Sequence, residues 1–381
     1  MENTGREYQQ CTHCVMDTSD PHITFDEHGV CDLCNNYEHN IKKEFDYDKS
    51  KAELERIVEK IKKDGRDRDF DCLLGMSGGA DSSYMLHLAV KEFGLRPLVF
   101  HVDGGWNSEL AVSNIQCMID NLGLDLYTEV INWEEMKDFQ LALFKSGTPY
   151  LDIAQDHAFV GTLYNYASKY NIRYILNGYN LATENTPNPL KYYYYGTDMR
   201  FINDIRRQFC TNPLKTYPFS SVFRHKIYLR YIKKVHVMQL LTYLPFNLEE
   251  IKKTLADEYG WKPYPRKHWE SRFTKFFESY WLYERFGFDV RKVQFSSLIN
   301  SGQMSREEAL AELSKKPYDE ETIKDDFKYI ATKLGISTEE LKCYFDMPLK
   351  FYWDYKNETD FINVGARIAK SLGLYRRGYK R

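Results

Sequence analysis

The chain of 381 residues holds no apolar run approaching the length of a membrane span. Its first residues, MENTGREYQQ, lack the hydrophobic stretch of a secretion signal, so a cytoplasmic protein is expected. An excess of positive charge is also missing: 52 lysines and arginines stand against 55 acids, for a formal net charge of −3. That balance excludes an overall basic footprint for nucleic acid and leaves only a local basic groove open. No internal repeat or low-complexity linker interrupts the sequence. Cysteine is present but unevenly placed. Four of the eight lie at positions 11, 14, 31 and 34 as two CxxC pairs, while Cys72, Cys117, Cys210 and Cys343 are scattered. In a reducing compartment this pattern reads as a metal site plus isolated core thiols, not as a disulfide framework.

The remainder has the balance of a soluble globular protein, 43% hydrophobic and 28% charged, in a length that suits two domains and an appendage. Tyrosine is abundant, with 30 residues, and its ring and hydroxyl suit sugar or base pockets as well as amphipathic core positions. The run KYYYYGTD (191–198) reads either as a pocket lining or as a strand packing alternate rings on its two faces.

Residues 1–45 are poor in periodic apolar positions and rich in turn formers, so this segment needs a staple in place of a core. KSKAELERIVEKIKK (49–63) then puts Leu54, Ile57, Val58 and Ile61 on one helical face. A buried strand is expected at 70–76, a loop at 77–83 and a helix over 82–94. Further strands are expected at 96–105, 125–132 and 172–180, with helices at 107–123 and 156–171. This alternation predicts an α/β fold with a doubly wound, mostly parallel sheet, whose ligands sit beyond the carboxyl ends of the strands. After about residue 250 the pattern turns helical, with helices expected at 265–287, 305–316, 320–335 and 337–347, the last capped at Ser337 or Thr338. The expected division is a four-cysteine segment (1–45), a sheet domain (46–250) and a helical C-terminal region (251–381).

The loop SGGADS (77–82), following a strand that ends near Gly75, itself a candidate nucleotide-binding position, has a direct physical reading. Gly78 and Gly79 let the backbone turn sharply and approach a ligand. Their N–H groups and the helix N-terminus cradle phosphate oxygens, and Ser77, Ser82 and Ser83 add hydroxyl donors. A Walker A loop would supply a lysine, but here the acid Asp81 takes its place. It repels phosphate unless a cation intervenes, which points to Mg²⁺ between carboxylate and polyphosphate. The alternative is a plain serine- and glycine-rich helix cap.

The motif resembles the PP-loop of the ATP pyrophosphatases, the family of GMP synthetase, asparagine synthetase and the tRNA thiolases. The resemblance implies that the loop grips the pyrophosphate portion of ATP while a substrate oxygen attacks the α-phosphate, so that AMP becomes the activating group. It also implies that His101, Val102 and Asp103 of FHVDGGWNS lie against the adenosine. Gly178 of ILNGYNLATE would permit close approach to AMP, with Asn180 and Glu184 near metal or substrate. Ordinary core roles are the alternative for these residues.

CTHC and CDLC are spaced to close a tetrahedral Zn²⁺ site through Cys11, Cys14, Cys31 and Cys34. Such a site has no open position and reads as structural; His13 and His28 lie close enough in sequence to compete as ligands.

The nucleophile that displaces AMP would be ammonia or a sulfur donor. Of the scattered cysteines, Cys72 falls inside a strand and Cys117 on a helix, which leaves Cys210, in the basic stretch RRQFCTNPL, as the candidate reactive thiol. No segment resembles a Cys-His-Glu glutaminase and the chain starts Met-Glu, so ammonia would come from a separate glutaminase subunit or from solution. RKHWESRFTKFFESYWLYERFGFDVRK and FSSLINSGQMSREEAL (266–310), together with CTHCVMDTSDP and CDLC, resemble the N-acetyl sugar amidotransferases of the PseA and WbpG type.

That second resemblance implies a nucleotide-linked N-acetyl sugar as substrate and conversion of its acetamido group to acetamidino in bacterial surface-glycan synthesis (lipopolysaccharide O-antigen or flagellin sugars). Ser77, Asp81, Lys226, Arg266 and His268 are the candidate catalytic residues. Arg224, Lys267 and Arg272 are further candidates for polyphosphate or an acidic sugar, and Glu270 for proton transfer. Surface cations and helix-surface roles are the alternative for each. The rival readings are tRNA 2-thiolation by the same adenylation, although nucleic acid is not an expected partner, and a module that only senses nucleotide.

Overall fold

The computed structural model describes residues 6–45 and 47–371. Five strands, β1 (Cys72–Gly75), β2 (Pro97–Asp103), β3 (Leu126–Val130), β4 (Tyr174–Leu176) and β5 (His236–Met238), form one sheet in the order β3-β2-β1-β4-β5. Every pairing is parallel. Side chains alternate along the strands, and the central β1, β2 and β4 are buried on both faces while the edge strands β3 and β5 are partly exposed. Cys72, Leu74, Val99 and Leu176 enter one apolar layer, while Leu73, Leu98, Phe100 and Ile175 enter the other. This is the doubly wound sheet expected from the alternating pattern.

A short helix, α1 (Asp32–Asn36), closes the cysteine segment, and α2 (Tyr47–Gly65), α3 (Ala80–His87) and α4 (Glu109–Leu122) follow along the chain. Leu54 and Ile61 of α2, Met85 of α3 and Met118 of α4 share the first layer. The second layer is built on α5 (Trp133–Ser146), α6 (Ile153–Lys169) and α7 (Met199–Phe209), through Phe139, Ala158 and Ile205. A wide-turned helix, Arg224–Ile232, precedes β5. Next, α8 (Leu248–Tyr259) returns to the first layer through Ile251 and Leu255. It runs through residue 250, where the pattern alone suggested a boundary.

The C-terminal helices are α9 (Arg272–Phe276, continued in wider turns to Arg285), α10 (Arg291–Asn300), α11 (Arg306–Leu313), α12 (Thr322–Leu334), α13 (Thr338–Asp346) and α14 (Thr359–Ser371). Ser305 caps α11 in a reciprocal capping box with Glu308, and Ser337 caps α13. No described helix is long and apolar enough to cross a membrane.

Four departures from the sequence reading have physical causes. β5 has three residues at the sheet edge, too short for any periodicity to register. α5 and α7 start on side-chain caps, Asn132 and Asp198, that the apolar pattern did not single out. KYYYYGTD is a turn and no strand: Tyr192 is buried against Phe288 with ring centroids 4.2 Å apart, and Tyr194 against Tyr352 at 4.3 Å. The helix expected at 265–287 begins only after Ser271, whose hydroxyl accepts from the Thr274 N–H. Residues 265–270 are pulled off the helix because the Ser108 N–H donates to the Glu270 carbonyl at 2.8 Å.

Candidate functional site

Strand order reverses between β1 and β4, so the loops leaving their carboxyl ends diverge and open a crevice. The SGGADS loop leaves β1 there, and residues 177–184 leave β4. The two loops are in contact at Gly178. A Cβ on that residue would lie 2.8 Å from the Asp81 carbonyl carbon and 2.9 Å from the Ser82 nitrogen. Its glycine thus serves close approach to the loop itself.

Gly78 adopts φ +84, a left-handed conformation that glycine takes without strain, and a Cβ there would meet the Ala111 carbonyl at 2.7 Å. Its own carbonyl accepts from Trp261 Nε1 at 3.0 Å and from the Tyr264 hydroxyl at 3.2 Å. Ser77 Oγ lies 3.2 Å from Ser82 Oγ and accepts from the Gly79 N–H at 3.3 Å. Gly79 begins α3 without a side-chain cap, so the first-turn N–H groups are free for an anion. Ser83 Oγ, inside α3, and Asn177 Oδ1, just beyond β4, are buried without a hydrogen-bond partner among the described residues.

The crevice holds a cavity of about 320 Å³. Ser77, Gly79, Asp81 and Ser82 form one wall, Gly178, Thr183 and Glu184 a second, and Arg266, Lys267, His268 and Glu270 a third. Lys267 Nζ bridges two of these walls, 3.3 Å from Asp81 Oδ2 and 2.5 Å from Glu184 Oε1. Asn180 Nδ2 donates to the other Asp81 oxygen at 3.3 Å. Burial raises the Asp81 pKa, Lys267 opposes the shift, and Glu184 adds to it. Burial alone would lower the Lys267 pKa, but Asp81 and Glu184 together push it up, so the ammonium stays charged.

Glu270 closes over the loop: a Cβ on Gly79 would be 2.8 Å from its Oε1, and burial raises its pKa. His268 takes φ +66, which is uncommon for a residue other than glycine.

Other expected site residues lie elsewhere. Gly75 ends β1 against Leu163, and Ser83 is fully buried in α3. His101, Val102 and Asp103 do not line this cavity. Both His101 nitrogens are occupied, Nδ1 by the Met76 carbonyl at 2.8 Å and Nε2 by Asn107 at 2.9 Å. Asp103 accepts from the Gly105 N–H at 2.7 Å, which ties down the tip of β2.

Among the cations, Lys226 is exposed on helix Arg224–Ile232, outside the cavity, and Arg224 donates to Asn165 at 2.7 Å. Arg272 pairs with Asp326 at 2.9 Å and stacks on Tyr329. Arg266 lines the cavity while donating to the Pro317 carbonyl at 2.7 Å. Trp261, Tyr264 and Thr183 were not anticipated. The clustered prolines and aromatics of GWKPYPRKHW (260–269) were the available sign of an ordered non-helical strap.

The second site is the cysteine cluster. The sulfurs of Cys11, Cys14, Cys31 and Cys34 all lie within 4.8 Å of one another, with Cys11 to Cys34 at 4.0 Å and Cys14 to Cys31 at 3.7 Å. A tetrahedron with Zn–S bonds of about 2.3 Å has edges of about 3.8 Å, so the set fits one ion. Cys11 Sγ accepts from the Cys31 N–H at 3.2 Å and the Cys14 N–H at 3.4 Å, as a metal-bound thiolate would. His13 and His28 are exposed and outside the cluster. Arg306 donates to the Cys11 and Cys14 carbonyls, both at 3.0 Å, and Lys292 pairs with Asp17 at 2.6 Å. The cluster is thereby clamped onto α10 and α11.

At the loop, Asp81 and Glu184 offer the hard oxygen donors that suit magnesium held mainly by nucleotide phosphates, whereas they form no complete cage among the described residues.

Residues 270–369 match the family described as LPS biosynthesis protein WbpG-like, C-terminal domain. An uncharacterized protein of Methanocaldococcus jannaschii is 21% identical over 307 residues, covering 80% of this chain and 93% of that protein. Among solved structures, an NMN synthetase from Francisella tularensis is similar at 16% identity and a TM-score of 0.31, over 59% of this chain and 100% of its own. A U34-tRNA thiolase from Methanococcus maripaludis, with its 4Fe-4S cluster, is similar at 12% identity and a TM-score of 0.34, over 91% of both chains. The chain thus combines a C-terminal segment that matches the WbpG-like C-terminal domain with an SGGADS loop at the sheet's switch point.

Proposed function

We propose that the protein is an ATP-dependent amidotransferase acting on a nucleotide-linked N-acetyl sugar in surface-glycan synthesis. The observation that carries this reading is the uncapped SGGADS loop facing Lys267 and His268, in a chain whose C-terminal domain is WbpG-like. An acetamido oxygen cannot leave as oxide. Attack on the α-phosphate of ATP converts it to an adenylate and releases pyrophosphate, and ammonia then adds at carbon as AMP departs. The loop N–H groups, Ser77 and Ser82 hold the departing diphosphate, with Lys267 as a fixed counter-charge. Magnesium bound at Asp81 would neutralise charge on the same leaving group. Zinc in the cysteine cluster would be structural.

Ammonia is preferred to sulfur because Cys72, Cys117 and Cys210, the thiols within the sheet domain, are held as thiols. Burial raises Cys72 and Cys117, and burial next to Asp138 pushes Cys210 up to about 12. One observation favours tRNA 2-thiolation instead: no acid occurs between Asp204 and Glu249, and helix Arg224–Ile232 exposes Lys226, Arg230 and Tyr231. A separate glutaminase would supply the ammonia.

The test is incubation with ATP, Mg²⁺, ammonium and nucleotide-linked N-acetyl sugars, followed by mass spectrometry. Sugar-dependent AMP and pyrophosphate, with a product carrying NH in place of O, are the expected result. AMP formed only with tRNA and a sulfur donor would overturn the amidotransferase reading.

A further inference from the structure

Glu278 lies outside the cavity, on the continuation of α9, and is only 5% exposed. Both of its carboxylate oxygens reach His268 Nδ1, at 3.0 and 3.1 Å. The Tyr193 hydroxyl donates to Glu278 Oε1 at 2.9 Å, which fixes the carboxylate's orientation. His268 itself lines the cavity, on a strap whose left-handed backbone turns the ring out of the helix that follows. With Nδ1 engaged from behind, the Nε2 edge is the one left for the cavity.

We propose that Glu278 is a positioning residue that keeps His268 an imidazolium with its Nε2–H turned to the SGGADS loop, so that His268 acts on nucleotide phosphate as a fixed cation and not as a proton acceptor. The charged groups around His268 agree. Glu278 faces it from α9, Asp156 from α6 and Asp81 from the loop, while Lys267 and Glu270 flank it on its own strap. Burial alone would lower its pKa, but the charge and hydrogen bond of Glu278 outweigh burial and hold it at about 9. A histidine so held is charged throughout the neutral range and has no lone pair with which to accept a proton. Lys267 and His268 then present two adjacent positive charges to the phosphates from the wall opposite the loop N–H groups.

This inference rests on reading the loop as a nucleotide site and not on the identity of the sugar, so its test omits sugar and ammonium. ATP affinity in the presence of Mg²⁺ is measured by calorimetry at pH ~5.5 and pH ~8, each variant against wild type at the same pH. Glu278→Gln keeps the shape and an acceptor but removes the charge. It is expected to bind closer to wild type at the lower pH, where Glu270, Asp156 and the incoming phosphates favour protonation of His268, and roughly 10-fold more weakly at the higher pH.

His268→Gln is expected to lose about 10-fold at both pH values. His268→Lys in the Glu278→Gln background is expected to restore binding at the higher pH, because an ammonium needs no carboxylate to stay charged; it also guards against Glu278→Gln acting through misfolding. An affinity for Glu278→Gln that matches wild type at both pH values, or falls equally at both, would overturn the inference, as would failure of the lysine variant to restore binding. Wild type that binds no ATP would overturn the nucleotide reading itself. Wild type that binds ATP beside a pH-insensitive Glu278→Gln would overturn only the role of Glu278.

Discussion

The Lys267 ammonium is shared by two carboxylates from different loops, Asp81 at 3.3 Å and Glu184 at 2.5 Å. One cation between two acids leaves that carboxylate pair with residual negative charge, so a phosphate placed beside Asp81 needs a further cation there. That is the electrostatic case for magnesium beside Asp81. Asp81→Asn keeps the contact with Asn180 and removes the charge. AMP and pyrophosphate release is expected to fall by about 10²–10³-fold while the melting curve stays near wild type. Retained activity would take Asp81 out of the metal role.

Gly178→Ala tests the closeness of the two loops. The added methyl would sit within 2.9 Å of the Asp81–Ser82 backbone, which no rotamer change can relieve. The loops must separate, at a cost of about 1–3 kcal/mol in stability, and ATP-dependent AMP release should fall at least in proportion. A variant with wild-type melting and turnover would show that the contact is not needed.

Cys11→Ser tests the metal centre. Elemental analysis of the wild type is expected to find zinc at one equivalent per chain, with little or none in the variant. Since Arg306 holds the Cys11 and Cys14 carbonyls, loss of the ion should loosen α11 as well, seen as faster amide exchange across 306–313. Full exchange protection in a zinc-free variant would separate the cluster from the C-terminal helices.

The His268–Glu278 pair ties stability to pH. Because the folded-state pKa of His268, about 9, stands above its unfolded value of about 6.5, its stabilisation is present in full below about pH 6.5. It is lost as pH rises through about 9. The melting-temperature advantage of wild type over His268→Gln should therefore shrink across that window and vanish above it. An advantage constant with pH would remove the charge from the account.

Asp152 bears on the same layer. It is buried near Asp156, accepts from Thr274 Oγ1 at 2.6 Å, and its pKa is pushed up to about 8 by burial first and Asp156 second. A carboxyl raised in this way favours folding most when protonated, and that contribution declines as pH climbs from about 4 through 8. Asp152→Asn should raise stability at pH 8 by on the order of 1 kcal/mol and leave it unchanged at pH 4. Equal effects at both pH values would mean that shape and not charge decides.

Elements carried by local pattern are legible in the amino-acid order itself. β1 and β2, the loop at 77–82, the four cysteines and the cap at Ser337 each announce themselves within a few residues, through apolar runs, glycine and serine chemistry, or metal-ligand spacing. The second wall of the crevice is partly legible too, as Gly178, Asn180 and Glu184. Local pattern misplaces His268 on a helix, because the residues 265–270 look helical until the Ser108 N–H takes the Glu270 carbonyl from a distant segment. It also gives no reason to choose Lys267 over Lys226, since both are basic residues in basic stretches and only one lines the cavity.

What the sequence by itself determined, then, is the chemistry at each strand tip and the tetrahedral thiol set, since both depend on residues spaced within one turn or knuckle. Tertiary structure alone decided which charges meet: Asp81 with Lys267, and His268 with Glu278 and Tyr193. Coulomb forces depend on distance and burial, and neither exists until the strap at 265–270 is folded over the crevice between β1 and β4.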